Sequence, residues 1–360
     1  MTSKQIERRF EIIKTFAAVA LALGFALVVI SFVSDSPAEA IMAFVTGPFQ
    51  RATRISNIIE VMTPLLFTGT AICVMYQANQ FSMIGEGALL IGANLATWFA
   101  LTHDKWAGLP LTLVCFIVAT VAGIAAAIIP AVLKVKFKAN EVVSSIMMNY
   151  VLLKISDYIF YYILRDVPSG QQASFPLPKQ AKLATMFGLR MHVGVFIGLA
   201  VAVLAYFFIY RTKWGYQVRM TGANINFAKY SGISVLGVAL STQLIGGGIA
   251  GLGGAVEILG RYERFIWYAT QPGFGFDGVL VGVLAKNNPL LVPVAAFLLA
   301  YMRTGADVMN RVSDVPIEFV DVVQGLIILF VAAQMFMAKY KHKLIVNNAK
   351  KQLEAKEAAE

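Results

Sequence analysis

The polar side chains most unusual for their surroundings lie in the fifth long apolar stretch of the chain. Met147, Tyr150, Lys154, Asp157 and Tyr161 follow one another at spacings of three and four residues, which places them on one face of a helix. Aromatic rings on such a face can stack on a base or a sugar, and polar groups can bond hydroxyls. The pattern indicates either a stripe that lines a solute route or a buried ion pair of Lys154 with Asp157 that only satisfies itself.

Four further residues are candidates for the same route. Glu86 lies beside two glycines, where its carboxylate could accept backbone amides at a helix start, so a cap and a solute contact are both open. Phe274 and Phe276 lie on irregular backbone before a short apolar segment, and Asp277 could cap that segment or line a gate.

Other polar residues at helix starts have simpler interpretations. Asn140 and Glu141 resemble a cap at the start of the fifth stretch, and Asn149 beyond them is the stronger solute candidate.

No catalytic or metal site is indicated. Cys73 and Cys115 both lie in apolar runs, and the three histidines are far apart in sequence, so neither a disulfide framework nor a metal cluster is expected. The chain also lacks the glycine-rich loop with its lysine that cradles a nucleotide phosphate. We expect no cofactor in this chain, and any ATP must be bound by another subunit.

The composition predicts a protein of the lipid bilayer. Hydrophobic residues make up 58% of the chain, charged residues only 14%, and the mean hydropathy is +0.70. The charges fall at the ends of long apolar stretches, because charges in hydrocarbon are costly. The net charge of +10 therefore does not indicate nucleic-acid binding.

A bilayer core of roughly 30 Å needs about 20 apolar residues per helix, and ten stretches are candidates. They are Ile13–Val33, Ile58–Tyr76, Ile84–Leu101, Leu109–Leu133, Val142–Leu164, His192–Tyr210, Val235–Leu259, Asp277–Ala285, Pro289–Ala306 and Ile317–Ala338. The eighth is too short to cross alone and is predicted to be half of a broken helix. The expected fold is an all-α polytopic membrane protein with about ten transmembrane helices.

Basic residues predict the orientation. With both termini in the cytoplasm, the cytoplasmic side carries more Lys and Arg than the other side. We expect one transmembrane domain over residues 1–338 and a charged cytoplasmic tail over 339–360. Ala38-Glu39-Ala40 offers a signal-peptide alternative for the first stretch, but that stretch is longer than a usual signal core. The loop Arg165–Met191 is either a contact for another protein or a loosely ordered spacer.

Glycines in the seventh stretch predict close helix packing. Gly247 and Gly251, and likewise Gly246, Ala250 and Gly254, repeat every four residues and form a small-residue face.

Four local patterns carry a resemblance to a known family. They are FSMIGEG at 81–87, KANEVV at 138–143 continuing to MMNY at 147–150, GYQVR at 215–219 followed by GAN and AKYSGI, and GFGFDG at 273–278. Together they resemble the permeases of ABC importers for branched-chain amino acids, simple sugars and nucleosides. The second pattern is most similar to the nucleoside branch. Ser82, Met83 and Ala88 depart from the family's usual residues.

The resemblance implies a function and partners. The chain would form the translocation pathway for nucleosides in a bacterial cytoplasmic membrane, with ribose or another simple sugar as the alternative. It would pair with a second, related permease, two ATP-binding subunits and an extracytoplasmic solute-binding protein.

The resemblance also implies a cytoplasmic coupling loop at about residues 211–233, which contacts the ATPase. Its candidate residues are Gly215, Gln217, Arg219, Gly222, Asn224, Lys229 and Gly232. Basic residues and glycines in a loop of this length are also consistent with short helices that dock on a soluble partner.

Two other classes of protein fit the sequence less well. A secondary transporter or channel would need no ATPase, and the coupling-loop resemblance speaks against it. A membrane-embedded enzyme would need a nucleophile, a metal or an acid–base cluster, and the sequence offers none.

Overall fold

The computed structural model describes residues 34–104, 110–186 and 191–316, together with Gly24, Val28, Ile30, Ser31, Val322 and Gly325. Within this part of the chain the secondary structure is helical, with three isolated β-bridges and no strand. The helices are α1 Pro37–Val45, α2 Ala52–Gln77, α3 Gly85–Thr102, α4 Leu111–Phe137, α5 Glu141–Ile159, α6 Gly194–Arg211, α7 Lys213–Ala223, α8 Ile225–Tyr230, α9 Val235–Glu257, α10 Phe274–Leu284 and α11 Val292–Val312. The all-α prediction is confirmed.

Among the described residues, six helical segments are long and apolar enough to cross a membrane. They are Ala52–Gln77, Leu111–Phe137, Glu141–Leu164, Gly194–Arg211, Val235–Tyr262 and Pro289–Val312. Each coincides with a predicted span. The third predicted span is α3, whose eighteen residues include buried Glu86 and Asn94, and it is not among the six. The first predicted span lies mostly, and the tenth entirely, outside the described residues, so the number of about ten stays a prediction.

The eighth predicted span is a short helix, α10, of eleven residues. It packs along α2 in the same direction, because Gly278 contacts Thr68 and Gly282 contacts Ile72. Thr68 lies nine residues before the end of α2, which is about 14 Å at 1.5 Å per residue. Helix α10 therefore begins close to the middle of α2.

Glycines bring α9 into contact with three neighbouring helices. Gly251 lies against the backbone of Gly92 on α3 and of Gly123 on α4, and Gly246 lies against Met75 on α2. Side chains at these positions would hold the backbones apart, so small residues permit the close approach. The predicted packing role of the glycine face is confirmed.

The described residues divide into two compact units, Pro48–Thr304 and a unit formed by Met1–Gly47 with Gly305–Glu360. In the smaller unit, Ser34 Oγ donates to Asp314 Oδ1 at 2.6 Å and the Asp35 amide donates to Oδ2 at 2.8 Å. These hydrogen bonds, that of Ser34 first, lower the pKa of Asp314 below its ordinary value. The segment before α1 is thereby fastened to the chain after α11.

The glycine packing makes a testable prediction about stability. In Gly251→Ala the new methyl would lie 2.9 Å from Gly123 Cα, a backbone atom that cannot move aside. Overpacking of this kind costs about 1–3 kcal/mol, so the thermal unfolding temperature of the detergent-purified protein should fall. In the control Gly248→Ala, the methyl meets only the side chains of Ile124 and Thr120, at 3.0 and 3.3 Å. Equal unfolding temperatures for the two variants would contradict close backbone packing at Gly251.

Candidate translocation pathway

One face of α5 carries an exposed ion pair within a membrane span. Lys154 Nζ lies 2.9 Å from Asp157 Oδ2, and the lysine side chain is 73% exposed on this chain. Lys154 is thirteen residues into the segment Glu141–Leu164, about 20 Å from its start. A charged group at this depth is costly against lipid. This face must therefore meet water or another protein, and the pair is not the buried one that the sequence left open.

A shallow, open depression lies on the same face. Tyr150, Val151, Lys154, Ile155 and Tyr158 line it. Met147 and Tyr161 are likewise exposed. The structure therefore brings Tyr150, Lys154 and Asp157 together, as their spacing predicted.

Asn149 lies on the opposite face of α5 and is buried. Its amide Nδ2 donates to Met83 O at 2.9 Å, and its Oδ1 accepts from the Gly87 amide at 3.0 Å. Ser145, one turn earlier, accepts from the Met83 amide. These bonds hold the first turn of α3 and the irregular chain before it against α5. Asn149 is thus separated from Tyr150 and Lys154.

Asn140 caps the start of α5, as the sequence predicted. Its Oδ1 accepts from the amides of Val142 and Val143, and Glu141 pairs with Lys134 of α4. Both residues therefore have structural partners within the chain.

Glu86 caps a helix, but not its own. Its Oε1 accepts from the Gly273 amide at 2.8 Å and its Oε2 from the Gly275 amide, so the carboxylate of α3 closes the start of α10. Free amides at a helix start carry partial positive charge, and a buried carboxylate is a strong acceptor for them.

The cap from Glu86 changes the predicted start of α10. Phe274, Phe276 and Asp277 were expected on irregular backbone and at the cap, whereas all three lie in the first turn of the helix. The helix begins earlier because its cap comes from another helix rather than from Asp277. Asp277 instead pairs with Arg303 of α11, with Oδ2 2.6 Å from Nη2. Phe274 is buried and Phe276 is 41% exposed.

A cavity of about 550 Å³ opens beside the start of α10, at the opposite end of the helices from the coupling loop. Its walls are formed by residues 267–272 and by Val61, Arg261, Tyr262, Phe274 and Arg303. Four aromatic rings, two guanidinium groups and the amide of Gln271 thus surround one space. Its volume is in the range of small-molecule sites.

Both guanidinium groups of the cavity have carboxylate partners. Arg261 Nη1 lies 2.9 Å from Glu257 Oε1, its Nε lies 3.9 Å from Glu60 Oε2, and its guanidinium stacks on Tyr262 at 4.9 Å. Arg303 pairs with Asp277. Buried charges need such partners, because desolvation of an unpaired ion is costly.

Trp267 joins the cavity to the exposed face of α5. Its Nε1 donates to Asp157 Oδ1 at 3.0 Å, and its ring lies 5.9 Å from that of Tyr161. Asp157 therefore holds Lys154 on one side and Trp267 on the other. Three candidate pathway residues therefore meet at this cavity. Phe274 lines it, Asp277 reaches it through Arg303, and Asp157 reaches it through Trp267.

The loop after α5 covers this region. The Trp267 amide donates to Gln172 O at 3.0 Å, and the Ser174 amide donates to Phe265 O at 2.8 Å. Lys182 pairs with Glu263. The described part of the loop is therefore anchored on residues 263–267, which is not the arrangement of a loosely ordered spacer.

Sequence reasoning missed most of the cavity. The missed residues are Arg261, Tyr262, Trp267, Tyr268, Gln271 and Arg303. All but Arg303 lie in the connection between two predicted spans, where the sequence shows no periodic pattern. The available signal was the Trp267-Tyr268 pair in the connection between the two spans.

The predicted coupling loop forms two short helices, α7 and α8. Asn224 caps α8 by accepting from the Phe227 amide at 3.0 Å, and Gly232 has a φ of +77°, which favours glycine. Gly215 contacts the end of α6, and Gly222 contacts Gln77 O at the end of α2. Gln217 is half-buried and Lys229 is exposed.

Contacts link the coupling loop to the end of α10. The Arg219 guanidinium lies over the Tyr210 ring at 5.2 Å. Gln77 Nε2 donates to Tyr210 Oη at 3.2 Å and to Asn287 O, just after α10, at 2.9 Å. Arg219, Tyr210, Gln77 and Asn287 therefore form a continuous chain of contacts.

Comparison with known proteins assigns the chain to a family. Residues 54–332 match the family described as "Branched-chain amino acid transport system / permease component". This chain belongs to that permease family. The predicted family is therefore confirmed, and the chain is a permease subunit of an ABC transporter rather than an enzyme.

Individual relatives of this permease carry names from two substrate classes. It is 32% identical to the guanosine ABC transporter permease protein NupP of Bacillus subtilis, over 94% of this chain and 99% of that protein. It is 30% identical to the glucose ABC transporter permease protein TsgB13 of Haloferax volcanii, over 80% and 78%. It is 28% identical to the nucleoside ABC transporter permease protein NupB of Lactococcus lactis, over 79% and 81%.

The Glu86 cap can be tested by substitution. Glu86→Ala leaves the amides at the start of α10 without their acceptor, and an unsatisfied buried donor costs about 1–3 kcal/mol. The thermal unfolding temperature of the permease should fall clearly, and less for Glu86→Gln, which keeps one acceptor oxygen. Glu39→Ala, at an exposed position of α1, is the control. An unfolding temperature for Glu86→Ala equal to that of this control would rule out the cap as a stabilising contact.

Proposed function

We propose that this permease forms the translocation pathway of an ATP-driven importer for nucleosides in a bacterial cytoplasmic membrane. The carrying observation is the match to the permease family, together with the names of two relatives, NupP and NupB, that refer to guanosine and to nucleosides. The aromatic and polar cavity beside α10 supports the substrate class, because rings can stack on a base and amides can bond its edge.

Ribose or another simple sugar is the alternative solute. The relative TsgB13 is named for glucose. Sugars also use aromatic faces and hydroxyl hydrogen bonds, so the cavity suits both classes.

The proposed topology has about ten crossings with both termini in the cytoplasm. Six segments in the described part of the chain have the length and composition of spans, and α10 is a half-length helix completed by the irregular chain before it. The bias of Lys and Arg towards the coupling-loop side supports this orientation.

The coupling loop is proposed to dock on ATP-binding subunits, one for each of two permeases. Trp214, Tyr216, Ile225, Phe227 and Tyr230 are exposed on α7 and α8, with Tyr230 at 93%. A cluster of exposed apolar side chains beside charged Lys213 and Lys229 is typical of a protein contact. ATP is bound by these partners, and this chain needs no cofactor of its own.

A second, related permease is proposed to face α5. The exposed pair of Lys154 and Asp157 cannot lie against lipid without a large cost, and a partner permease with a shared water-filled route would cover it. An extracytoplasmic solute-binding protein would deliver the solute to the side of the membrane on which the cavity opens. The predicted route residues Tyr150, Lys154 and Asp157 would then line the shared route.

Uptake tests the function and its coupling. Cells with the importer should take up labelled guanosine, and cells lacking this chain should not. Gly222→Val places a side chain against Gln77 O, so it should reduce uptake at least tenfold. Gly24→Val, at an exposed position with open space around it, should not.

The outcomes of the uptake experiment separate the alternatives. Uptake of ribose but not guanosine would move the solute to sugars. Guanosine uptake that persists after inactivation of the ATPase partner would contradict ATP coupling.

The docking surface gives a separate prediction. Phe227→Ala combined with Tyr230→Ala removes two exposed rings of the coupling loop, so less ATPase should copurify with the permease. Phe175→Ala, an exposed ring in the loop after α5, is the control. Unchanged copurification for the double variant would place the ATPase contact elsewhere.

A further inference from the structure

The cavity beside α10 has the parts of a site for a planar ring. Tyr262, Trp267, Tyr268 and Phe274 contribute four rings. Trp267 is held by two hydrogen bonds. Its ring nitrogen donates to Asp157, and its backbone amide donates to the Gln172 carbonyl. A ring held in place offers a stacking surface without the entropic cost of ordering it on binding.

The cavity wall also contains a buried polar group without a hydrogen-bond partner among the described residues. Gln271 Nε2 is buried in the wall and makes no hydrogen bond to any residue that the structure describes. Buried donors are almost always paired, because desolvation without a hydrogen bond is costly. Rotation of the Gln271 side chain would turn this amide towards an acceptor on a solute in the cavity, which would satisfy it.

The charges around the cavity disfavour an anion. The guanidinium groups of Arg261 and Arg303 face the carboxylates of Glu60, Glu257 and Asp277. The two positive charges are therefore already neutralised, and the carboxylates would repel a phosphate.

We propose that this cavity is a binding site for an uncharged nucleoside, with the base stacked on Trp267 and hydrogen-bonded by the Gln271 amide, and that it rejects nucleotides. This inference rests on the proposed nucleoside import and assigns it a site within one permease chain. The solute leaves the cavity past Asp157 towards the exposed face of α5, because Trp267 borders both.

Uptake kinetics of the complete importer test the site. Trp267→Leu removes the stacking surface and should raise the guanosine concentration for half-maximal uptake about tenfold. Trp267→Phe keeps a ring and should change it much less. Gln271→Ala should raise it about fivefold. Trp98→Leu, a partly exposed tryptophan on α3 away from the cavity, should leave it unchanged.

Calorimetric titration of the detergent-purified complex, without the solute-binding protein, tests the charge argument. Guanosine should bind and its monophosphate should not. Glu257→Gln frees Arg261 of one carboxylate, so the monophosphate should then bind measurably.

Different results separate the site from the function. Normal half-maximal concentrations in Trp267→Leu and Gln271→Ala, with guanosine uptake intact, would overturn the site and leave nucleoside import standing. If the importer transports no nucleoside, import fails, and the titration alone decides the site. Guanosine binding that is lost in Trp267→Leu would support it, and no binding by the unaltered complex would overturn it.

Discussion

Every backbone amide and carbonyl at membrane depth needs a hydrogen-bond partner, because lipid supplies none. Two helix starts in this permease lie away from the membrane surfaces and would violate that rule without help. Glu86 accepts hydrogen bonds from amides at the start of α10. Asn149 and Ser145 accept hydrogen bonds from amides at and just before the start of α3. These side chains make a broken helix possible, and the broken helix leaves space for the cavity.

Close helix packing holds these half-length elements in place. The glycines of α9 allow α3, α4 and α2 to approach its backbone, so the supports of α10 are rigid. At the other end of α10, Gln77 connects Asn287 to Tyr210, on which Arg219 of the coupling loop stacks. The cavity and the coupling loop therefore border the two ends of one short helix.

The balance of charge in the cavity follows from the same environment. Arginines near the membrane interior need carboxylate partners, and Arg261 and Arg303 have them. A site built in this way favours polar, uncharged solutes. Trp267, bonded to Asp157, connects this site to the charged face of α5.

The sequence by itself determined the features that depend on local periodicity and composition. Apolar length predicted the six segments of the described chain that have the length and composition of spans. Spacing predicted the shared face of Tyr150 and Lys154, and the place of Asn140 before a helix predicted its cap. The glycine repeat likewise predicted close packing, because all of its residues lie on a single helix.

Only the tertiary structure decided which distant groups meet. Glu86 caps a helix nearly two hundred residues away, as the sequence separation of 187 and 189 to its two amide partners shows. The cavity has walls from Arg303 and from the connection 261–272. These remote segments meet because α2, α9, α10 and α11 pack together. A hydrogen bond or an ion pair between remote segments leaves no period in the sequence, and for that reason the local patterns could not reveal it.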